Sequence, residues 1–308
     1  MRSTLVGLIA FFSFGGTAFA GQMTPSNYLD FNGVNLAVYE SSGTELPGVL
    51  LIHGNTSAAE SYERILNSPL AHRRKMVAVD LAGYGLSDNA PAYDAGYFAA
   101  EIAFTAQQMG VDDGFIVGWS LGGDLALQAS PLLPDVKGYF LFGMAPLGYA
   151  PGLPAPFLSA AESYAGAAVN YGFFAALTQQ QVADYVTAFF RPNYSYIPQS
   201  FFDDGLRTDP ATRAAIGMAG AGLDPTFLDE VAIVKNLQVP VAIVLGTEDA
   251  FVRPDYLEGL APDIPTLHNG EITYVAYAGH AIHHERPWRF NTLLEGFIRN
   301  EPCSLVDE

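Results

Sequence analysis

Short, nearly unbroken apolar runs recur along the chain: Val49 to Ile52, Met76 to Val79, Phe115 to Val117, Tyr139 to Phe142, Val241 to Leu245 and Ile272 to Tyr277. Segments with no polar alternation must be covered on both faces, which predicts strands of a parallel sheet. Helices are expected between them, at Ala58 to Leu70, Gly96 to Met109, Leu121 to Ser130 and Trp288 to Arg299. The alternation is that of an α/β, mostly parallel, doubly wound sheet. The beginning differs. Tyr28 to Phe31, then Asn32-Gly33, then Val34 to Tyr39 reads as two antiparallel strands on a tight turn, because Asn-Gly supplies positive φ angles.

One stretch breaks the alternation. After Met144-Ala145-Pro146 no strand is predicted until Val241, and the segment between is rich in Ala, Gly, Pro and aromatic residues. Residues 147–230 are therefore expected to form a mainly helical cap, inserted in a core made of 21–146 and 231–308. The Pro-Gly-Leu-Pro-Ala-Pro run from Pro151 to Pro156 would make a rigid entry into it.

The first residues read as a leader rather than as structure. Arg2 precedes an apolar stretch from Leu5 to Phe14, and Ala18-Phe19-Ala20 offers an A-x-A cleavage site, so residues 1–20 are expected to be a signal peptide. The run is shorter than the roughly 20 residues a spanning helix needs, and Gly15-Gly16 interrupts it. Export to a periplasm or the medium follows, with no integral membrane association. The formal charge is −18, which repels phosphate backbones and argues against nucleic acid as a partner. Cys303 is the one cysteine, so no internal disulfide can form. The sequons at Asn55 and Asn193 favour a bacterial route, since a glycan on Asn55 would obstruct the chemistry described next.

Gly118-Trp119-Ser120-Leu121-Gly122 is a G-x-S-x-G sequence between an expected strand and an expected helix. A sharp turn there would lift the Ser120 hydroxyl above the sheet, with glycines where side chains would collide. The Leu121 N–H at the helix start, and the Asn55 N–H in His53-Gly54-Asn55 after Val49 to Ile52, are the candidate oxyanion-hole donors. Serine needs a base, and the base needs an orienting acid. His280, in Ala278-Gly279-His280, and Asp249, in Gly246-Thr247-Glu248-Asp249, both follow expected strands.

Competitors stand close by. Glu248 adjoins Asp249, and His283 and His284 adjoin His280; these two histidines are expected to be solvated or capping. His53 is expected to brace its loop by hydrogen bonding. The histidine spacing fits no metal motif, and no cofactor is required. Asp80-Leu81-Ala82-Gly83-Tyr84-Gly85-Leu86-Ser87-Asp88 is read as an architectural turn, because it lacks the Gly-Lys-Ser/Thr ending of a phosphate loop.

With these motifs in this order, the mature chain resembles the α/β-hydrolase superfamily. Ser120 argues against the haloalkane dehalogenases and epoxide hydrolases, which carry Asp at that position, and against the dienelactone hydrolases, which carry Cys. Proline iminopeptidases usually show His-Gly-Gly-Pro-Gly where this chain has His53-Gly54-Asn55-Thr56-Ser57. The same segment with Gly118 to Gly123 is similar to metal-independent acyl-homoserine lactone hydrolases. The resemblance implies the α/β-hydrolase fold and hydrolysis of a small-molecule ester or lactone through an acyl-enzyme.

A dozen aromatic residues between Phe157 and Phe202 point to a small or medium apolar acyl group. Hydrolysis of a carbon–carbon bond, and a binding protein on a hydrolase scaffold, remain open alternatives.

Overall fold

The computed structural model describes residues 23–150, 152–153 and 155–301. The expected leader and Cys303 lie outside them. Eight strands form one sheet: β1 (Asn27–Phe31), β2 (Val34–Glu40), β3 (Glu45–Ile52), β4 (Arg74–Val79), β5 (Phe115–Trp119), β6 (Gly138–Phe142), β7 (Val241–Gly246) and β8 (Thr273–Val275). Their order is β1-β2-β4-β3-β5-β6-β7-β8.

The first hairpin is antiparallel, and Asn32 and Gly33 at its turn have φ of 55° and 86°. The Asp30 carboxylate accepts the Gly33 N–H at 2.7 Å and holds this turn. β2 then pairs antiparallel with β4, and every later pairing is parallel. The reason lies in the burial pattern. Every residue of β5, β6 and β7 is buried, as expected of strands sandwiched between helices.

Two expected elements are cut short. The predicted helix from Ala58 to Leu70 is a 3₁₀ turn at Ala59–Tyr62 followed by helices Glu63–Leu66 and Pro69–Arg73. Pro69 lacks an N–H and disfavours a helical residue before it, so Ser68 caps a new helix by accepting the Ala71 N–H. The last strand covers Thr273–Val275 rather than Ile272 to Tyr277. Tyr277 sits at φ 53° and donates its N–H to Thr247 Oγ1, which takes the chain out of the sheet.

Between β6 and β7, among the described residues, lie a 3₁₀ stretch, Gly166–Phe173, and four helices: Gln179–Ala188, Gln199–Arg207, Pro210–Gly220 and Glu230–Asn236. The outgoing and returning chains meet where the Glu230 N–H donates to the Leu147 carbonyl at 2.8 Å. This insertion covers the carboxyl ends of the strands. The Asn55 side chain after β3 donates to Gly172 O at 2.7 Å, and the Ala281 N–H after β8 donates to Phe189 O at 2.7 Å.

Candidate active site

Ser120 joins β5 to the helix Leu121–Ala129 at φ 52° and ψ −124°. This backbone region is costly for a residue with a Cβ, by roughly 1–3 kcal/mol. It persists because its surroundings over-determine it. The Ser120 N–H donates to Phe142 O at 2.9 Å, and the Ser120 carbonyl accepts the Gly123 N–H at 2.7 Å. The glycines are sterically required. A Cβ on Gly118 would overlap the Gly122 carbonyl, and one on Gly122 would overlap the Ile52 carbonyl.

The predicted base and acid meet. His280 Nδ1 lies 2.8 Å from Asp249 Oδ2, and both side chains are almost fully buried. The other carboxylate oxygen, Oδ1, accepts the Phe251 and Val252 N–H groups at 2.7 and 3.1 Å. Asp249 is thus held from three directions. The carboxylate fixes the proton on Nδ1 and leaves Nε2 as the basic nitrogen.

The imidazole is held as firmly as the acid. Phe251 packs on it at 4.5 Å between ring centroids, and Trp119 Nε1 donates to the His280 carbonyl at 3.0 Å. Before it, the Gly279 N–H is bound by Glu285 Oε1 at 2.9 Å, and Glu285 is in turn paired with Arg191 of the insertion at 3.2 Å.

Asn55 and Leu121 are buried beside Ser120. Among the described residues, neither backbone N–H has a hydrogen-bond acceptor. Two free N–H groups at the end of β3 and at a helix N-terminus are the requirements for stabilising an oxyanion.

His53 is a brace. Its Nε2 accepts the Leu81 N–H at 3.1 Å, its Nδ1 faces Gly54 O at 2.8 Å, and burial lowers its pKa to about 4. Asp80 anchors the neighbouring turn, accepting from Ala59 N–H, Leu86 N–H and Tyr39 O–H. Glu248 takes no part in orienting His280; its backbone carbonyl accepts from Tyr164 O–H.

The expectation for His283 and His284 requires correction. Both are buried rather than solvated. His283 is packed among Trp119, Tyr62 and Phe142, at 4.6, 5.1 and 5.1 Å, and desolvation drives its pKa far down. Their sequence neighbours, Glu285 and Arg286, suggest a surface, but the short helix Ile282–Glu285 is itself inside the fold.

Ser120, His280, Asn55 and Leu121 all face one cavity of about 470 Å³, a typical size for a small-molecule site. Of the aromatic residues in the insertion, Tyr149, Phe157, Phe173, Tyr185 and Phe227 line it, while Phe189, Phe190 and Phe201 are buried packing residues. The core adds Phe98, Phe251 and Tyr256. Sequence reading missed Asp124, a carboxyl on the cavity wall one helical turn after Ser120. Its signal was the i, i+4 pair Asp124 and Gln128 in an otherwise apolar helix.

Residues 49–290 match the alpha/beta hydrolase family. The chain belongs to that family. It is 28% identical over 237 residues to the polyketide synthase ThaQ of Burkholderia thailandensis; the match covers 77% of this chain and only 11% of that protein's length.

Among solved structures it is similar to the N-acyl homoserine lactonase AidH complexed with N-butanoyl homoserine. The TM-score is 0.80 and the identity 26%, over 92% of this chain and 98% of the lactonase. An esterase from Exiguobacterium antarcticum shares the fold at a TM-score of 0.72 and 19% identity, over 90% of this chain and all of the other. This α/β hydrolase is thus similar in structure to enzymes acting on esters and on a lactone.

Proposed function

We propose that this α/β hydrolase is an exported serine hydrolase that cleaves small or medium apolar esters and lactones, with N-acyl homoserine lactones as its main substrate class. The observation that carries the reading is that His280, paired in the interior with Asp249, faces a largely apolar cavity together with Ser120. The likeness to a lactonase complexed with an N-acyl homoserine supports the substrate class. The leader expected at residues 1–20 supports export.

In this reading His280 Nε2 takes the Ser120 hydroxyl proton as Oγ bonds to the acyl carbon. The carbonyl electrons move onto oxygen, which the Asn55 and Leu121 N–H groups stabilise. Collapse breaks the C–O bond of the ester or ring, and the imidazolium proton goes to the departing alkoxide. Water, deprotonated by His280, then releases the acid from Ser120. Residues 147–230 act as the cap that shapes the acyl pocket.

The test is a panel of p-nitrophenyl esters and N-acyl homoserine lactones on the mature protein, with Ser120→Ala as control. Ser120-dependent ring opening of the lactones is expected. Turnover limited to esters would reassign the enzyme as a general carboxylesterase, and activity surviving in Ser120→Ala would remove the serine mechanism.

A further inference from the structure

The cavity that holds Ser120 carries fixed side-chain charge of one sign. Asp94, Asp124 and Asp224 line it, and among the described residues no Lys or Arg does. Arg213, on the helix Pro210–Gly220, stays outside this lining and donates to the Phe174 and Ala175 carbonyls.

Asp94 and Asp224 are fixed as carboxylates. Asp94 caps the helix Ala95–Gln108, and its Oδ1 accepts the Tyr97 N–H at 2.7 Å. Asp224 reaches the same helix start: Oδ2 accepts the Ala95 N–H at 2.8 Å, and Oδ1 accepts the Thr226 N–H and O–H at 2.8 and 2.7 Å. Hydrogen bonds to the charged form, and the positive end of the helix dipole, favour the anion. Two negative charges therefore stand together on one wall.

That wall faces the acyl side of a substrate. In the proposed reaction His280 hands its proton to the departing oxygen, so the alcohol side lies with His280 and the rings packed on it, Phe251 and Phe189. The helix Ala95–Gln108 instead packs beside Leu121–Ala129, which starts at the nucleophile. Axes of packed helices lie about 8–10 Å apart, so the two carboxylates stand roughly one helix width from Ser120. A medium-length acyl tail reaches that far, and an acetyl group does not.

We propose that Asp94 and Asp224 are specificity-determining residues that filter the acyl group by charge, turning away tails that end in a carboxylate and admitting neutral ones. The inference rests on the ester and lactone reading and narrows its substrate class to acyl tails without distal negative charge. Repulsion of this kind needs no contact between the groups. It acts across a largely apolar cavity, where charges are screened less than in bulk water.

The test uses p-nitrophenyl octanoate, the p-nitrophenyl mono-ester of suberic acid, whose far carboxyl is free, and the same mono-ester with that carboxyl made a primary amide. Amide and carboxylate match in shape, so the ratio of their kcat/KM values isolates charge. In the wild type the carboxylate ester should be the poorer by about 10- to 100-fold. Asp94→Asn combined with Asp224→Asn keeps the oxygens that accept the N–H groups and should narrow this gap by about fivefold or more. Each single change should give part of the narrowing, so the reading does not depend on the double variant folding. Glu45→Gln combined with Glu271→Gln removes the same charge from exposed positions outside the cavity lining and should leave the gap unchanged. An unaltered gap in the aspartate variants would overturn the proposal, as would equal narrowing in the glutamate pair, which would assign the effect to the net charge of the protein. Cleavage of the octanoate by a wild type that shows no gap would remove the filter alone. Failure to cleave even the octanoate would remove the ester reading and the filter with it.

Discussion

Asp249 divides its two carboxylate oxygens, Oδ2 to the His280 ring at 2.8 Å and Oδ1 to the Phe251 N–H at 2.7 Å. The same backbone that positions the acid also carries Phe251 onto the imidazole face. Asp249→Asn can keep the Oδ1 contacts by presenting its carbonyl oxygen to the N–H groups. Its amide then faces Nδ1 as a donor and favours the wrong histidine tautomer. Turnover should fall by about 10³- to 10⁴-fold with little change in thermal stability. Steady-state kinetics with a melting curve would check it, and a loss below tenfold would remove Asp249 as the orienting acid.

Ser120 should cost the fold stability. At φ 52° and ψ −124° its Cβ is strained, and glycine would be comfortable. Ser120→Gly should abolish turnover while raising the melting temperature by a few degrees, from roughly 1 kcal/mol of relief. Ser120→Ala should abolish turnover without that gain, because alanine keeps the Cβ. Equal melting temperatures for the two variants would mean that the turn is not strained.

Glu101 points to a pH dependence of stability. It is fully buried, its Oε1 accepts the Ala82 N–H at 2.9 Å, and its other oxygen has no donor. Burial pushes its pKa up to about 8, and that of Asp204 to about 8 and Glu60 to about 7. The folded protein then holds protons that the unfolded chain releases near pH 4–5. Stability contributed by these groups is present below that range and is lost as pH rises through 7 to 8. The melting temperature should therefore fall from pH 6 to pH 9. Glu101→Gln keeps the acceptor for Ala82 and cannot ionise, so its decline should be shallower. A parallel decline would exclude Glu101 as a source.

Much of the site was legible because its chemistry sits at strand ends. Ser120, Asp249 and His280 each follow an apolar run, and such runs are visible in sequence as buried parallel strands. What could not be read depends on which surfaces meet. His283 looks solvated beside Glu285 and Arg286, yet Trp119 and Phe142 close over it. Asp124 lies on the cavity wall beside a helix that begins more than a hundred residues later, at Glu230, because the insertion returns next to the helix that follows the nucleophile. The end of the first predicted helix was readable in principle from Pro69, which the apolar periodicity alone overrode.

Asn55 carries two separable contributions, and substitution can part them. Its backbone N–H is the proposed oxyanion donor, while its side chain binds Gly172 O of the insertion at 2.7 Å. Asn55→Ala keeps the first and deletes the second. Removing an oxyanion donor costs about 100- to 1,000-fold in kcat, so a donor left in place predicts a fall of less than tenfold. The unpaired Gly172 carbonyl should loosen the wall that continues into Phe173, which lines the cavity. KM for longer acyl chains should therefore rise more than KM for acetate esters. Measuring kcat and KM across a chain-length series separates the cases. A loss in kcat of a hundredfold or more at unchanged KM would mean that the side-chain amide, rather than the backbone, meets the oxyanion.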